Sequence, residues 1–148
     1  MSNERNIEVF SVALDKALEA ARENANQVKR TVALDLLSRI VDRTPVDTGR
    51  ARANWQVSLS SPRLSEASYT NSEKIPQGNQ ESAIAGRAKA KGAAIVKNAQ
   101  EGQDIWITNN LPYINRLETG TWSDQAPQGM VAISIAEVQQ ALTLRRDL

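Results

Sequence analysis

The feature that most constrains this chain is an unbroken helical pattern between Ser11 and Arg43. Leu14, Leu18, Ala21, Ala25, Val28, Val32, Leu36 and Ile40 step by three and four, which lays one apolar stripe along a helix. The opposite face carries Asp15, Glu19, Arg22, Glu23, Asn26, Lys29 and Arg30 and is expected to meet water or a charged partner. Asp35 and Arg39 have the favourable acidic-before-basic spacing of four. Thr44-Pro45 ends the pattern, because proline disfavours helical geometry at the preceding residue and offers no amide hydrogen. Such a helix would run roughly 45 Å at about 1.5 Å per residue, a rod suited to a scaffold between neighbours.

Beyond the turn Pro45-Val46-Asp47-Thr48-Gly49, the residues Ala51, Ala53, Trp55, Val57 and Leu59 alternate with Arg50, Arg52, Asn54, Gln56 and Ser58. A period of two predicts a strand with one dry and one polar face. Ser60 to Gln80 is rich in Ser, Asn, Pro and Gly and reads as a long flexible loop. The alanine-rich stretch Glu81 to Asn98 predicts a helix with Ile84, Ala88 and Ala94 or Ile95 on one face, weakly interrupted by Gly86 and Gly92. Glu101-Gly102-Gln103 turns into a short strand, Asp104 to Thr108, which should pair with the first. Asn109 to Gly120 suggests a turn and a short helical piece, and Thr121 to Gln128 an exposed loop. From about Gly129 the chain fits a helix through Val131, Ile135, Val138 and Leu142, although Val131, Ile133 and Ile135 alone would suit a strand. The expected fold is therefore α+β: one domain over residues 1–148, with a long N-terminal helix packed on a small, mainly antiparallel sheet and further short helices.

Composition narrows the function. The chain holds eighteen basic and seventeen acidic residues, a formal charge of +1, so no overall field steers it to nucleic acid or anionic membrane. It has no cysteine and no histidine, which removes thiolate metal sites, cysteine nucleophiles and the commonest base near neutral pH. Aromatic residues make up 4%, so the core leans on aliphatic side chains and association with other copies would help it. No apolar run is long enough to cross a membrane.

Motifs for chemistry are equally sparse. Asp42, Asp47, Asp104 and Glu118 are the acids nearest structured turns, but their spacing matches no metal-ligand pattern. Serines lack a histidine or a suitably spaced lysine to activate them. Gly86, Gly92 and Gly102 form neither a dinucleotide fingerprint nor a phosphate loop. Catalytic residues, cofactors and metals are accordingly expected to be absent. Arg43, Arg50 and Arg52 cluster locally and offer a phosphate contact, although pairing with acids such as Asp42, Asp47 or Glu118 is the commoner role for such arginines. Trp55 reads as core; Trp106, Trp122, Tyr69 and Ile75 are the candidates for contact with a partner.

Two stretches go beyond generic pattern: Thr44-Pro45-Val46-Asp47-Thr48-Gly49-Arg50-Ala51-Arg52-Ala53-Asn54-Trp55, and Asn109-Asn110-Leu111-Pro112-Tyr113-Ile114-Asn115-Arg116-Leu117-Glu118-Thr119-Gly120. In this order, behind a long first helix and followed by Gln125-Ala126-Pro127-Gln128-Gly129-Met130-Val131, they resemble the neck and tail-completion family of tailed bacteriophages. The likeness spans most of the chain outside residues 60–100. It implies a non-enzymatic virion structural protein, a head-tail connector or minor tail component assembled in the host cytoplasm and carried in the neck or tail. It further implies a ring homo-oligomer, with six or twelve copies as the natural expectation, docking between connector, tail terminator or tail tube proteins while DNA passes through the channel without specific binding. Tail terminator and head-completion subunits are the alternatives within that class, and a small nucleic-acid-binding protein using Arg43, Arg50 and Arg52 is the alternative outside it. Pro45, Asp47, Thr48, Gly49, Arg50, Trp55, Asn109, Pro112, Tyr113, Leu117, Glu118 and Gly120 are the motif residues, expected to shape turns and packing rather than chemistry.

Overall fold

The computed structural model describes residues 2–46, 49–67, 80–120 and 123–146; Asp47, Thr48, Tyr69, Ile75 and Trp122 lie outside them. The elements are α1 (Ser2–Arg43), α2 (Arg50–Ala53), β1 (Gln56–Leu59), α3 (Gln80–Val96), β2 (Ile105–Thr108), α4 (Ile114–Glu118) and α5 (Val131–Arg146). The fold is α+β. β1 and β2 pair antiparallel, with Gln56 opposite Thr108 and Leu59 opposite Ile105. A two-stranded sheet is marginal by itself, and here α3 packs on β1 while α1 packs on α3 and α5.

Helix α1 holds 42 residues, about 63 Å at the standard rise, and begins well before the expected Ser11. It ends as the proline predicts: the Thr44 hydroxyl donates to the Ile40 carbonyl at 2.7 Å, and the Thr44 amide bonds Val41 O at 3.2 Å. The core gathers Leu37, Ile40 and Val41 from α1 with Trp55, Val57, Ala85, Ala88, Val96, Leu111, Leu117 and Met130. Aliphatic side chains dominate it, and alanines let α3 come close. Gly92 makes this approach possible, since a Cβ there would sit 2.2 Å from Leu37 Cδ2 and 3.0 Å from Val57 Cγ2. The glycine that weakens α3 as an isolated helix is thus the one that lets it seat on α1.

Two expectations are corrected. The strand is shorter than the alternation from Ala51 to Leu59 suggests, because 50–53 is a helical turn closed by Ala53 N to Gly49 O at 3.0 Å and Asn54 N to Arg50 O at 3.1 Å. Alanine and arginine are strong helix formers, and the Asn54 side chain reinforces the turn by donating to Arg50 O at 2.9 Å. Arg50 and Arg52 therefore do not share a strand face, and Asn54, assigned to the polar side, is fully buried.

The second correction concerns which side of α1 faces the body. Asn26, Ala33, Leu37, Ile40 and Val41 are its buried residues, a face centred roughly a third of a turn from the apolar stripe at about 100° per residue and sharing only Ile40 with it. Of the polar face expected to meet water or a charged partner, Asp15, Glu19, Arg22 and Glu23 are exposed, whereas Asn26, Lys29 and Arg30 supply the attachment. Asn26 Nδ2 donates to Ala99 O at 3.2 Å, Arg30 Nε to the same carbonyl at 3.0 Å, and Lys29 Nζ to Gln103 O at 2.6 Å. These carbonyls lie in the turn between α3 and β2, where backbone acceptors have no helix or strand ladder to pair them.

Candidate interaction surface

The two motif stretches meet in space: side-chain hydrogen bonds fold the first onto the end of α1, and Asn109 ties the second to its backbone. Trp55 Nε1 donates to Thr44 Oγ1 at 2.7 Å, which fixes a buried indole against the end of α1. Arg52 folds back onto the Thr44 carbonyl at 2.9 Å and Asp42 O at 3.2 Å. From the second stretch, Asn109 Nδ2 reaches Ala51 O at 2.9 Å, while Asn109 Oδ1 accepts from the Leu111 amide at 3.2 Å. Gln125 closes a reciprocal pair with residue 46: its Oε1 accepts from Val46 N at 2.8 Å and its Nε2 donates to Val46 O at 3.1 Å.

Glu118 has the most specific role. Its carboxylate accepts from Met130 N and Val131 N at 2.9 Å and from Ala132 N at 3.0 Å, so a side chain leaving α4 caps the first turn of α5. A carboxylate there satisfies amides that have no helical acceptor and favourably meets the positive end of the helix dipole. Close backbone approach makes it possible: a Cβ on Gly120 would lie 2.2 Å from Pro127 O, and one on Gly129 2.3 Å from Glu118 O. Both glycines have positive φ, 75°, which other residues adopt at a cost.

The remaining motif residues are distributed around this knot. Pro45 and Gly49 are buried, and Gly49 takes φ 83° to enter α2. Leu117 is buried, Tyr113 packs half-buried against the core, and Pro112 is exposed. Arg50 pairs with Glu66. Arg43 pairs with Glu137 and donates to Ser134 Oγ at 3.0 Å, and Arg39 bonds Asp35 at 2.9 Å and Glu137 at 3.2 Å. The hydrogen bond that Arg39 donates to the Asp35 carboxylate, helped by the carboxylate's charge, holds the guanidinium pKa above its ordinary value. The candidate acids are dispersed: Asp42 pairs with Lys89 at 2.7 Å, Glu118 caps α5, and Asp104 is exposed. Among the described residues no group of three acids could hold a metal ion, and no helix is long and apolar enough to cross a membrane.

The surface that this body leaves open is extended and carries an apolar stripe. Residues 14–25 of α1 are exposed at every position, with Leu14 and Leu18 nearly half accessible and Val28 at 54%. The stripe continues into a groove where Val32 and Leu36 lie beside Ile105, Trp106 and Ile107 of β2; Trp106 is 39% exposed. On its other side Val32 borders α5 at Val138, Ala141 and Leu142. The first part of the expected loop adds Leu64, 87% exposed, on a segment held by Asn110 Nδ2 bonding Arg63 O at 2.9 Å and Ser65 O at 3.0 Å. Sequence reasoning missed Asn26, Asn54, Asn110 and Gln125 as structural anchors. Each works over a long sequence separation or at a turn, where spacing alone carries no signal. Compared with family models, curated proteins and solved structures, the chain matches none of them.

Proposed function

We propose that the chain is a structural subunit of a tailed-bacteriophage neck or tail-completion ring, joining the DNA-filled head to the tail. One observation carries the reading: the residues of both motif stretches hold the body together, while the open surface of the described residues is a projecting helix with an apolar stripe, and an exposed tryptophan. Such a division suits a protein whose task is to present surfaces to neighbours. On this reading the protein resides in the virion and performs no catalysis. It contacts its own copies in a ring, and connector, tail terminator or tail tube proteins above and below, with DNA passing through unread. A tail terminator or head-completion role would use the same surfaces at a different level of the axis.

The test is deletion of the gene from the phage that carries it. Filled heads and finished tails should accumulate unjoined, visible by electron microscopy, and the purified protein should restore infectivity when added to that lysate. Infectious particles assembled without the protein would overturn the proposal. A nucleic-acid-binding role is the weaker reading, since Arg43, Arg50 and Arg52 are already engaged with Glu137, Glu66 and backbone carbonyls. It requires duplex affinity that falls steeply with salt, and filter binding across a salt series would reveal it.

A further inference from the structure

We infer that the apolar stripe of α1 is a self-association seam, through which two copies of this chain pair with their first helices antiparallel. The inference rests on the stripe and its exposure, and it stands whether or not the chain belongs to a phage particle.

The spacing identifies the kind of partner. Leu14, Leu18, Ala21, Ala25, Val28 and Val32 advance by four and three in strict alternation, a period of 3.5 rather than the 3.6 of a helix lying on a globular body. A seam of that period is matched by another helix. The body buries a different face of α1, at Asn26, Ala33, Leu37, Ile40 and Val41, so the chain does not cover the seam itself. A lipid surface suits it poorly, because Asp15, Lys16, Glu19, Arg22 and Glu23 in the same exposed stretch nearly cancel and give no attraction to anionic headgroups.

The charges favour a second copy running in the opposite direction. Antiparallel pairing sets Leu14 beside the partner's Val32, Leu18 beside the partner's Val28 and Ala21 beside the partner's Ala25, each contact repeated by the two-fold axis. Small alanines at the centre allow the axes to approach to about 8 Å, the short end of helix-helix spacing. The flanking positions on one side then bring Asp15 against the partner's Lys29; on the other side stand only Ala17, Asn24 and Thr31. Lys29 Nζ already bonds Gln100 O and Gln103 O, which leaves the third ammonium hydrogen for that carboxylate. Arg22 would face its own copy near the axis, but each Arg22 is compensated by Glu101 of its own chain at 3.4 Å. A parallel pair forms none of these opposite-charge contacts. The antiparallel register also carries the end of each seam into the other copy's groove between β2 and α5, toward Trp106. A two-fold contact does not close a cyclic ring by itself, so contacts within a ring would use other faces.

The absence of cysteine permits a clean test with the full chain. Sedimentation equilibrium should show a monomer-dimer equilibrium, and Leu18→Glu should weaken dimerisation at least tenfold while leaving the circular dichroism spectrum unchanged. An equimolar mixture of Leu18→Cys and Val28→Cys chains should oxidise to a mixed disulfide dimer, whereas Leu18→Cys alone should stay largely uncrosslinked. A chain that remains monomeric at hundreds of micromolar would overturn the inference and leave the seam to a helix of another protein. Dimerisation unaffected by Leu18→Glu would overturn it by placing the contact elsewhere, and efficient crosslinking of Leu18→Cys alone would do so by making the pair parallel.

Discussion

The two halves of α1 are parts of one helix with similar composition, yet they have opposite relations to the rest of the molecule. From Asn26 to Arg43 the helix is anchored: Leu37, Ile40 and Val41 are in the core, Asn26, Lys29 and Arg30 hold the turn between α3 and β2, and Arg39 and Arg43 hold α5 through Glu137. From residue 14 to residue 25 every position is exposed, apolar ones included. The difference shows that hydrophobic periodicity identifies a helix and counts its apolar faces, but does not say which face belongs to the chain's own core. Here the stripe is uncovered from Leu14 to Val28, while its last residues, Leu36 and Ile40, turn into the body.

Substitutions in the two halves should therefore differ sharply. The largest effect is expected for Leu37→Ala, since the side chain is 1% exposed and its loss leaves a cavity between α1 and α3; unfolding free energy by denaturant titration should fall by about 2–5 kcal/mol. Next comes Gly92→Ala, which forces a methyl group against Leu37 and Val57 and should cost roughly 2 kcal/mol, within the range for overpacked cores. The pair also sharpens the comparison. In the Leu37→Ala background the same change at Gly92 should cost much less, because the clashing Cδ2 has gone, and a double-mutant cycle should return a coupling of about 1 kcal/mol or more. Additive effects would mean that α3 does not approach α1 at that point.

A smaller effect is expected away from the helix pair. Glu118→Gln keeps an acceptor near the first turn of α5 but removes the charge, and the loss should be about 1 kcal/mol. If α5 were held chiefly by its packing through Met130, Ser134 and Val138, the substitution would be silent.

Much of this architecture was legible. Thr44-Pro45 marked the end of α1, the β-branched and aromatic run at Ile105–Thr108 marked β2, and its pairing with the first strand in an antiparallel sheet is as expected. The spacing of Val131, Ile135, Val138 and Leu142 favours helix over strand, and α5 is a helix. The misreading at Arg50–Ala53 arose because alternating Arg and Ala satisfies a two-residue period and helix propensity equally, and a left-handed glycine before it tipped the chain into a turn. The Glu118 cap was invisible for another reason: it joins residues twelve to fourteen apart through backbone amides, which carry no sequence signature. The buried asparagines were hidden likewise, since a polar residue reads as exposed until its acceptor is known.

The smallest expected effect bears hardest on the comparison. Leu18→Ala lies on the same helix as Leu37→Ala and removes the same atoms, but Leu18 is 46% exposed and contributes little to the monomer. At high dilution its unfolding free energy should stay within about 0.5 kcal/mol of the parent, helped by alanine's helix propensity. If the seam pairs copies, the gap must widen with protein concentration, because a contact made only by folded chains stabilises them by mass action. The Leu37→Ala deficit measured against the parent should show no such widening, since that residue faces the core. Thermal melts of the two variants and the parent at several concentrations therefore separate the two faces of α1. A Leu18→Ala deficit as large as that of Leu37→Ala at high dilution would mean that the projecting half packs on its own body, and the distinction between the two halves would fail.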